Sequence, residues 1–494
     1  MNKIYVLLII LAFGCVSCGD FLEEDSQTLS YVTNVDDLDE LLVGSGYLQN
    51  ARGTYYIMTW LEVMDDDIQQ LVRAEPATSS TFGYLRLFYQ WAAYPWDDDY
   101  PDKLGGNRAW ERLYESIGVA NVILNDIERF QGEEGYERVK GEAYFIRAYC
   151  YFYLVNIFGH PYDAKTSNEK LGVPIKLTDY VEVKGFARNS VEECYQQILS
   201  DLRQAVHYLD GVTPTTTFRA GENAARALLA KTALYMGDWE TVVSQCDSIL
   251  DSPKGLGLID FNTTALSEYA TASSYNAMIR SNSSSEAIFA GGFQTSVLFF
   301  SGASASLKEN LIISTDLLTL YDENDLRYRP GENSHFFMHH KNGYYASYRG
   351  TASSKLTGNS LLFSEVYLNK AEALALLGRE SEAISVLQEL RKKRMTDAGS
   401  INASGESLVK FIREERRREL CFAGQRWFDL RRYGMPSISH DYKIRKNDPW
   451  VTYTLQEEDP LYTLPISTVM MNNNVQLEQN ASANESERTG SQKL

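Results

Sequence analysis

The chain has 494 residues, a net charge of −19 and 44% hydrophobic residues. The charge argues against nucleic acid as a partner, because phosphate binding draws its affinity from clustered Lys and Arg. The length exceeds that of a usual single domain, so we expect either several domains or one long helical-repeat domain.

The N-terminus predicts export and lipid anchoring. Lys3 precedes an apolar stretch, residues 4–13, which is too short to span a bilayer stably, and small residues then lead to Cys18. This pattern resembles the lipobox of bacterial lipoproteins, so we predict a signal peptide at 1–17 and Cys18 as the acylated first residue of the mature protein. Several acyl chains on one residue would hold the protein firmly to a membrane. The alternative is an ordinary secretory signal that is cleaved elsewhere.

An acidic segment, residues 18–43, follows and leads from the lipid anchor to the folded chain. Its first part contains Asp20, Glu23, Glu24 and Asp25. This run resembles the post-cysteine signals that send some lipoproteins to the outer face of the outer membrane. We therefore expect a surface-exposed protein in the cell outer membrane.

Helical periodicity dominates the rest of the chain. In "NSVEECYQQILSDLRQAVHYLDG" apolar residues recur every three or four positions, and Ser190 with Glu193 forms the pattern of a capping box. The same periodicity predicts further helices at 108–130, 136–158, 221–236, 239–250, 360–377, 380–395 and 406–423.

Two predicted hairpins share one pattern. "LLAKTALYMGDWETVVSQCDSIL" and "YLNKAEALALLGRESEAISVLQEL" have small residues on the first helix, a turn glycine (Gly237, Gly378) and a small or β-branched residue five positions later (Val242, Ala383). Small residues allow close helix packing, and glycine suits the turn, as in tetratricopeptide repeats. The two copies do not follow a 34-residue period, which indicates repeats separated by insertions.

Residues 252–358 form the largest predicted insertion, rich in Ser, Gly, Asn and Thr, and residues 44–107 have a similar character. We expect irregular loops with a few short strands in both. The predicted fold is mainly α, with tetratricopeptide-like helical hairpins in an α-α superhelix. Long insertions would carry the ligand face of a single domain at 44–494.

Five strings in order carry a family resemblance: "RAWERLYESIGVANVILNDIE", "VKGEAYFIRAYCYFYLVNIFGHPY", "YLNKAEALALLG", "FIREERRRELCFAGQRWFDLRRYG" and "YTLPISTVMMNNNVQLEQN". Together with the lipobox they resemble the SusD/RagB family of outer-membrane nutrient-binding lipoproteins across nearly the whole mature chain. One departure is Phe363, where the family often has an arginine.

The resemblance implies four tetratricopeptide-like hairpins with the ligand site on loops at one face. It also implies a SusC-type TonB-dependent transporter as partner, a glycan as ligand and the outer membrane as location. Some members bind a peptide instead, as RagB-like proteins do. The implied role is nutrient uptake without catalysis and without a cofactor.

Two other classes of function fit the sequence less well. A tetratricopeptide scaffold that holds a peptide would have regular 34-residue repeats, and the long aromatic-rich insertions argue against it. A secreted glycosidase would need two carboxyl groups across a cleft, and no acid stands in a recognisable catalytic motif.

Acidic runs at 65–67 and 97–99 supply the polar candidates. Adjacent acids usually face solvent, and their other possible uses are hydrogen bonds to sugar hydroxyls or a loop calcium site. By resemblance, the segment after "VMDDD" approaches the ligand, so Asp66, Asp67 and Gln69 are predicted to contact it.

Aromatic side chains are the candidates for stacking on sugar faces, with burial in the core as the alternative for each. The predicted ligand contacts are Tyr94, Trp96, Phe299, Phe300 and Tyr344.

Three other features are interpreted as structural. His335 and His339 have a metal-ligand spacing if helical, but glycines bracket them and no metal site is predicted. The run "REERRRELCFAGQRWFDLRRYG" predicts ion pairs within one helix, followed by a packed Trp427. The remaining cysteines, predicted to be small core residues rather than disulfides, are Cys150, Cys194, Cys246 and Cys421.

Overall fold

A computed structural model describes residues 32–48, 58, 60–72, 80–96, 106–180, 182, 185–263, 284–290, 309–329, 335–336, 360–445 and 447–492. Thirteen α-helices lie in these ranges, with a few short strands. The mainly α prediction is therefore confirmed. No helix in the described ranges is both long and apolar enough to cross a membrane.

The first described helix lies earlier than the predicted start of the domain. Helix α1 (Val35–Leu41) is capped by the Asn34 side chain and continues into a π-helical turn, Leu42–Gly46. Val35, Leu38 and Leu42 are buried in the core. Packing therefore begins inside the segment 18–43 that the sequence predicts to be a leader from the anchor.

The described part of the segment 44–107 includes a short strand, as expected, and a helix that the sequence did not predict. Strand β1 is Ile68–Val72, and helix α2 is Ser80–Tyr89. The α2 sequence "STFGYLRLFY" contains glycine and several aromatic residues of modest helix propensity, so its helical signal is weak.

The first half of the scaffold consists of five helices whose consecutive members pack against one another. Helix α4 (Tyr136–Phe158) is buried on nearly all sides, as expected for the central helix of the layer. The predicted capping box is confirmed, because Ser190 Oγ accepts from Glu193 N at 3.1 Å and Ser190 N donates to Glu193 Oε2 at 2.7 Å. These helices are α3 (Gly106–Asp126), α4 (Tyr136–Phe158), α5 (Val191–Tyr208), α6 (Glu222–Met236) and α7 (Trp239–Asp251).

The described parts of the insertion form short strands that return to the scaffold. Strand β3 (Glu309–Ile313) pairs antiparallel with β1, β2 (Ala287–Phe289) with β6 (Leu361–Leu362), and β4 (Tyr328–Arg329) with β5 (His335–Phe336). His335 lies in a strand rather than a helix, and His339 lies outside the described residues. The elements are β2 (Ala287–Phe289), β3 (Glu309–Ile313), α8 (Thr315–Leu318), β4 (Tyr328–Arg329), β5 (His335–Phe336) and β6 (Leu361–Leu362).

The second half of the scaffold follows: helices α9 (Phe363–Leu376), α10 (Glu380–Arg394), α11 (Gly405–Leu420) and α12 (Arg426–Arg432). Helix α9 packs against α7 and α11, which joins the two halves. The predicted turn glycines are confirmed, since Gly237 and Gly378 have φ of +80° and +76° in the left-handed region.

The chain ends in a small sheet that the sequence did not predict. Strands β7 (Ile438–Tyr442) and β8 (Val451–Leu455) pair antiparallel. Helix α13 (Thr468–Asn473) follows, and β9 (Ser491–Gln492) adds to β8. Strand β7 contacts β1, which places this sheet beside the segment of the 60s.

Buried ion pairs fasten the insertion to the scaffold. Arg394 on α10 contacts Glu286, next to β2, at 2.7 Å and Glu419 on α11 at 2.8 Å. Arg327 contacts Glu415 at 2.6 Å and Glu419 at 2.9 Å. Burial raises the pKa of Glu286 to about 7, against the opposing effect of Arg394. Loss of one member would leave a buried charge without a partner, which is strongly destabilising. The network therefore holds the insertion in place on the scaffold helices.

The four cysteines in the described ranges are confirmed as buried and free: Cys150, Cys194, Cys246 and Cys421.

Candidate ligand-binding site

Strand pairing brings the segment of the 60s to the insertion. In the β1–β3 pair Gln69 stands opposite Ile312. The Gln69 Oε1 atom accepts hydrogen bonds from Thr315 N at 3.2 Å and Thr315 Oγ1 at 3.3 Å. Ser314 donates to the backbone oxygens of Asp66 and Asp67, each at 2.8 Å. Two segments predicted to share a ligand site are therefore adjacent in the structure.

The acidic triplet at 65–67 is paired with arginines of the basic run. Asp66 accepts from Arg426 Nε at 2.7 Å and Arg426 Nη2 at 2.8 Å. Asp67 accepts from Arg417 Nε at 2.7 Å and is buried. Asp65 is also buried, and its Oδ1 accepts from Asp67 N at 2.9 Å. Both carboxylate oxygens of Asp66 and one of Asp67, which were predicted to receive sugar hydroxyls, thus accept from guanidinium groups instead.

Burial and charge set the pKa values of these three acids in opposite directions. Burial alone would raise the pKa of Asp66, but the neighbouring Arg426 and Arg417 hold it at about 2. Burial, followed by the charges of Asp67 and Asp66, raises the pKa of Asp65 well above its ordinary value. Burial also raises the pKa of Asp67 despite its contact with Arg417. Asp66 is therefore the firmly ionised member.

The triplet does not fit a calcium ion. Its carboxylate atoms lie within 4.8 Å of one another, close enough to share a cation. However, both oxygens of Asp66 contact Arg426, and one of Asp67 contacts Arg417. Two guanidinium groups at the carboxylates supply the positive charge that a divalent cation would otherwise provide.

Trp96 belongs to the core in this structure, which corrects the expectation that it stacks on a sugar. It is 5% exposed, and its ring packs edge-on against Trp60 and Phe88 with centroid distances of 5.6 and 5.2 Å. The Nε1 atom donates to the Pro465 oxygen at 2.8 Å. A sugar needs an open ring face, and Trp96 does not present one.

Asp66, Gln69 and Tyr94 are the partly exposed candidates in the described ranges, and Asp66 is the one paired with arginine. The Tyr94 hydroxyl lies 2.7 Å from Thr468 Oγ1 and accepts from Thr468 N at 2.7 Å, so α13 fixes its position. Phe299, Phe300, Tyr344 and the lipidation residue Cys18 lie outside the described residues.

His440 is a residue of this region that the sequence did not single out. Its ring is stacked between Tyr89 and Trp91, with both centroid distances at 4.2 Å. Its nitrogens lie 2.8 Å from the backbone oxygens of Tyr89 and Asp65. Burial lowers the pKa of His440, while the two carbonyl contacts oppose that effect. This histidine links β7 to the triplet and to the end of α2.

The ion pairs of the basic run mostly leave helix α11, contrary to the prediction of pairs within one helix. Arg416 contacts Glu365 on α9 at 3.0 Å and Asp429 on α12 at 2.9 Å. Arg413 contacts Glu372 on α9 at 2.9 Å. The predicted burial of Trp427 is confirmed at 1% exposure. The run therefore joins several segments of the fold.

These features define a class of protein: a helical-repeat scaffold with a strand-anchored insertion on one face. A family model described as "Starch-binding associating with outer membrane" matches residues 20–234, and the SusD family model matches residues 315–482. The chain belongs to the SusD/RagB family.

Similar proteins support this assignment. SusD-like protein P2 of Formosa agariphila is 25% identical over 375 residues, covering 65% of this chain and 70% of the relative. SusD-like protein P38 of the same organism is 25% identical over 490 residues, covering 87% of this chain and 91% of that protein.

Solved structures share the fold. A SusD superfamily protein of Bacteroides thetaiotaomicron has a TM-score of 0.69 at 24% identity, covering 91% of this chain and all (100%) of that one. A SusD-like carbohydrate binding protein of Bacteroides vulgatus has a TM-score of 0.64 at 18% identity, covering 90% of this chain and 98% of that one.

Proposed function

We propose that this protein is a surface-exposed outer-membrane lipoprotein that binds a glycan and delivers it to a SusC-type TonB-dependent transporter. Membership of the SusD/RagB family is the observation that carries the proposal. The description of the family model that matches residues 20–234 names starch binding and association with the outer membrane. A lipid anchor at Cys18 would supply the attachment.

The proposed glycan site lies where the 60s segment meets the insertion. The pairing of β1 with β3 supports this placement, because it joins two stretches rich in candidate contacts. Gln69 on β1 is partly exposed. Tyr94 is partly exposed on the segment of the 90s, whose Trp91 Nε1 donates to the Met64 oxygen at 3.0 Å. The aromatic residues Phe299, Phe300 and Tyr344 of the insertion would supply stacking faces.

The ligand is proposed to be a neutral glycan that leaves the protein unchanged. A chain of net charge −19 repels anionic polymers at long range, although salt of about 0.15 M screens this beyond about 8 Å. Glycoside hydrolysis needs two accessible carboxyl groups. Asp65 and Asp67 are buried and Asp66 is paired with arginine, which supports binding without catalysis.

A glycan and peptide array probed with the intact detergent-solubilised protein tests the proposal. We expect retention of one or more neutral oligosaccharides. The double variant Phe299→Ala, Phe300→Ala should weaken binding at least about tenfold, since each stacked ring contributes about 1–3 kcal/mol by analogy with stacking on bases. Tyr180→Ala is the control, because Tyr180 is 62% exposed on a loop that is not part of the proposed site. Retention of peptides alone would contradict glycan binding and favour the RagB-like alternative.

Partnership with the transporter is tested separately by purification from outer membranes in mild detergent. We expect an outer-membrane barrel to co-purify, because an extracellular lipoprotein cannot by itself move a ligand across the membrane. Isolation as a free protein in several detergents, with the barrel migrating apart, would count against delivery while leaving glycan binding intact.

A further inference from the structure

A groove lined with arginines runs along helix α11. It lies among α9, α11 and α12, has a volume of about 810 Å³, and is called here the arginine groove. Its apolar lining includes the aliphatic side chains of Leu376, Val409 and Leu430. Its charged lining includes the guanidinium groups of Arg413, Arg417 and Arg426.

Two guanidinium groups of the groove are more exposed than the carboxylates with which they pair. Side-chain exposure is 31% for Arg413, which pairs with fully buried Glu372. It is 12% for Arg417, which pairs with Asp67 at 1% exposure. Arg426 is 14% exposed and pairs with Asp66 at 24%. The three acids balance the charge of the arginines but are not among the lining residues, so the positive ends of these pairs line the groove. An approaching anion therefore meets cations first.

Each of these arginines has donor capacity left over. Counting the described residues, the Nη1 atoms of Arg417 and Arg426 donate no hydrogen bond, nor do the two terminal nitrogens of Arg413. Guanidinium groups bind carboxylates through such free edges, often with two bonds at once. Two acids also line the groove, Glu406 and Glu414, and Glu414 lies 3.9 Å from Lys410. The groove thus combines free cationic donors with an apolar floor.

The cations are spaced for a helical partner. Lys410, Arg413 and Arg417 are separated by three and four residues on α11, so they share one face and span about 10 Å along its axis. Acidic residues repeated at the same interval on a second helix would match them. Amphipathic helices commonly bind in grooves of this kind, with apolar anchors on the floor.

The lining favours a protein segment over an anionic glycan. Sugar recognition relies on open aromatic faces, and the aromatic residue at this groove, Tyr433, has Arg413 and Arg432 over its ring at 4.1 and 4.4 Å. Leucine or similar side chains fit the aliphatic floor instead. We propose that the arginine groove binds an acidic, leucine-containing helical segment of a partner protein. This docking site adjoins the 60s segment through the contacts of Arg417 and Arg426 with Asp67 and Asp66, but the proposal does not depend on glycan binding.

Fluorescence polarisation with the intact protein in detergent micelles tests the proposal. The probe is a labelled 15-residue helical peptide with glutamate and leucine on one face, and a matched peptide has glutamine in place of glutamate. We expect saturable binding of the glutamate peptide, at least about tenfold weaker binding of the glutamine peptide, and weakening with salt. Equal binding of the two peptides, or no saturation by the glutamate peptide, would overturn the proposal.

Variants locate the binding. Arg413→Gln should weaken the glutamate peptide at least about fivefold. The fold should survive, because Glu372 keeps two contacts of 2.7 Å with Arg432. Arg379→Gln is the matched control. Arg379 is a surface arginine in the turn before α10, and it pairs with Glu382 on that helix. An equal effect of the two variants would overturn the assignment.

A second variant and a second ligand complete the test. Val409→Ser leaves the ion pairs intact and should also weaken binding if the floor receives a leucine. Oligogalacturonate is tested in parallel. Suppose that this anionic sugar binds, that Arg413→Gln abolishes its binding, and that the peptide does not bind. The occupant of the groove would then be an anionic glycan, and the proposal would be refuted.

Discussion

Replacement of Trp96 by alanine should destabilise the fold. The buried indole removes about 200 Å² from water, which at about 25 cal/mol per Å² gives an upper estimate of about 5 kcal/mol. Core Trp→Ala substitutions typically cost about 3–5 kcal/mol. We therefore expect Trp96→Ala to lower the free energy of unfolding by about 3–5 kcal/mol, since the ring is 5% exposed and packs on Trp60 and Phe88.

Urea denaturation followed by circular dichroism measures this change. Trp96→Phe should recover most of the loss, leaving a deficit of about 1–2 kcal/mol from the smaller ring and the unpaired Pro465 oxygen. Tyr180→Ala, at a side chain that is 62% exposed, should change stability by no more than about 0.5 kcal/mol. An unchanged urea midpoint for Trp96→Ala together with lost glycan binding would refute the assignment of Trp96 to the core.

Three further predictions concern charge, turns and anchoring. The pKa of Asp429 is lowered to about 2 because Arg416 and Arg432 outweigh burial, so its stabilisation is present above about pH 4 and is lost as pH falls towards 2. The stability gap between the native protein and Asp429→Asn should narrow by about 1 kcal/mol from pH 5 to pH 3 in urea titrations, and a constant gap would contradict this. Gly378→Ala should destabilise the protein by about 1–2 kcal/mol because φ at Gly378 is +76°. Gly118→Ala inside α3 is the control and should stabilise the protein by about 0.5–1 kcal/mol. Equal melting temperatures of the two variants would refute the turn assignment. Cys18→Ala should release soluble protein from membranes on fractionation, and continued membrane attachment would refute the anchor.

The helical scaffold was predictable because its signal is local. The period of apolar residues, the capping box at Ser190 and the turn glycines Gly237 and Gly378 each depend on neighbours within one or two turns. Helix α2 was not predicted because its glycine and aromatic residues obscure the helical period of its apolar residues. The terminal sheet was not predicted because its strands are short and one of them, β9, pairs with a strand about 40 residues earlier.

The site was predicted less well because its decisive contacts are distant in sequence. The acidic triplet and the basic run each appear as a separate charged stretch, yet Asp66 and Arg426 are 360 residues apart and form an ion pair. A sequence alone does not give that pairing, and each stretch then suggests its own function. Trp96 shows the same limit, since its burial depends on Trp60, Phe158 and the Pro465 segment.

Calorimetry with a neutral oligosaccharide selected on the array tests the central claim most directly. The intact protein is titrated at about 0.02 M and about 0.5 M salt, and the sugar is then recovered and analysed. We expect saturable binding whose affinity changes less than about twofold with salt, because a neutral ligand has no charge to screen. We also expect the sugar to be recovered intact. A steep loss of affinity with salt, or cleavage of the recovered sugar, would contradict the claim.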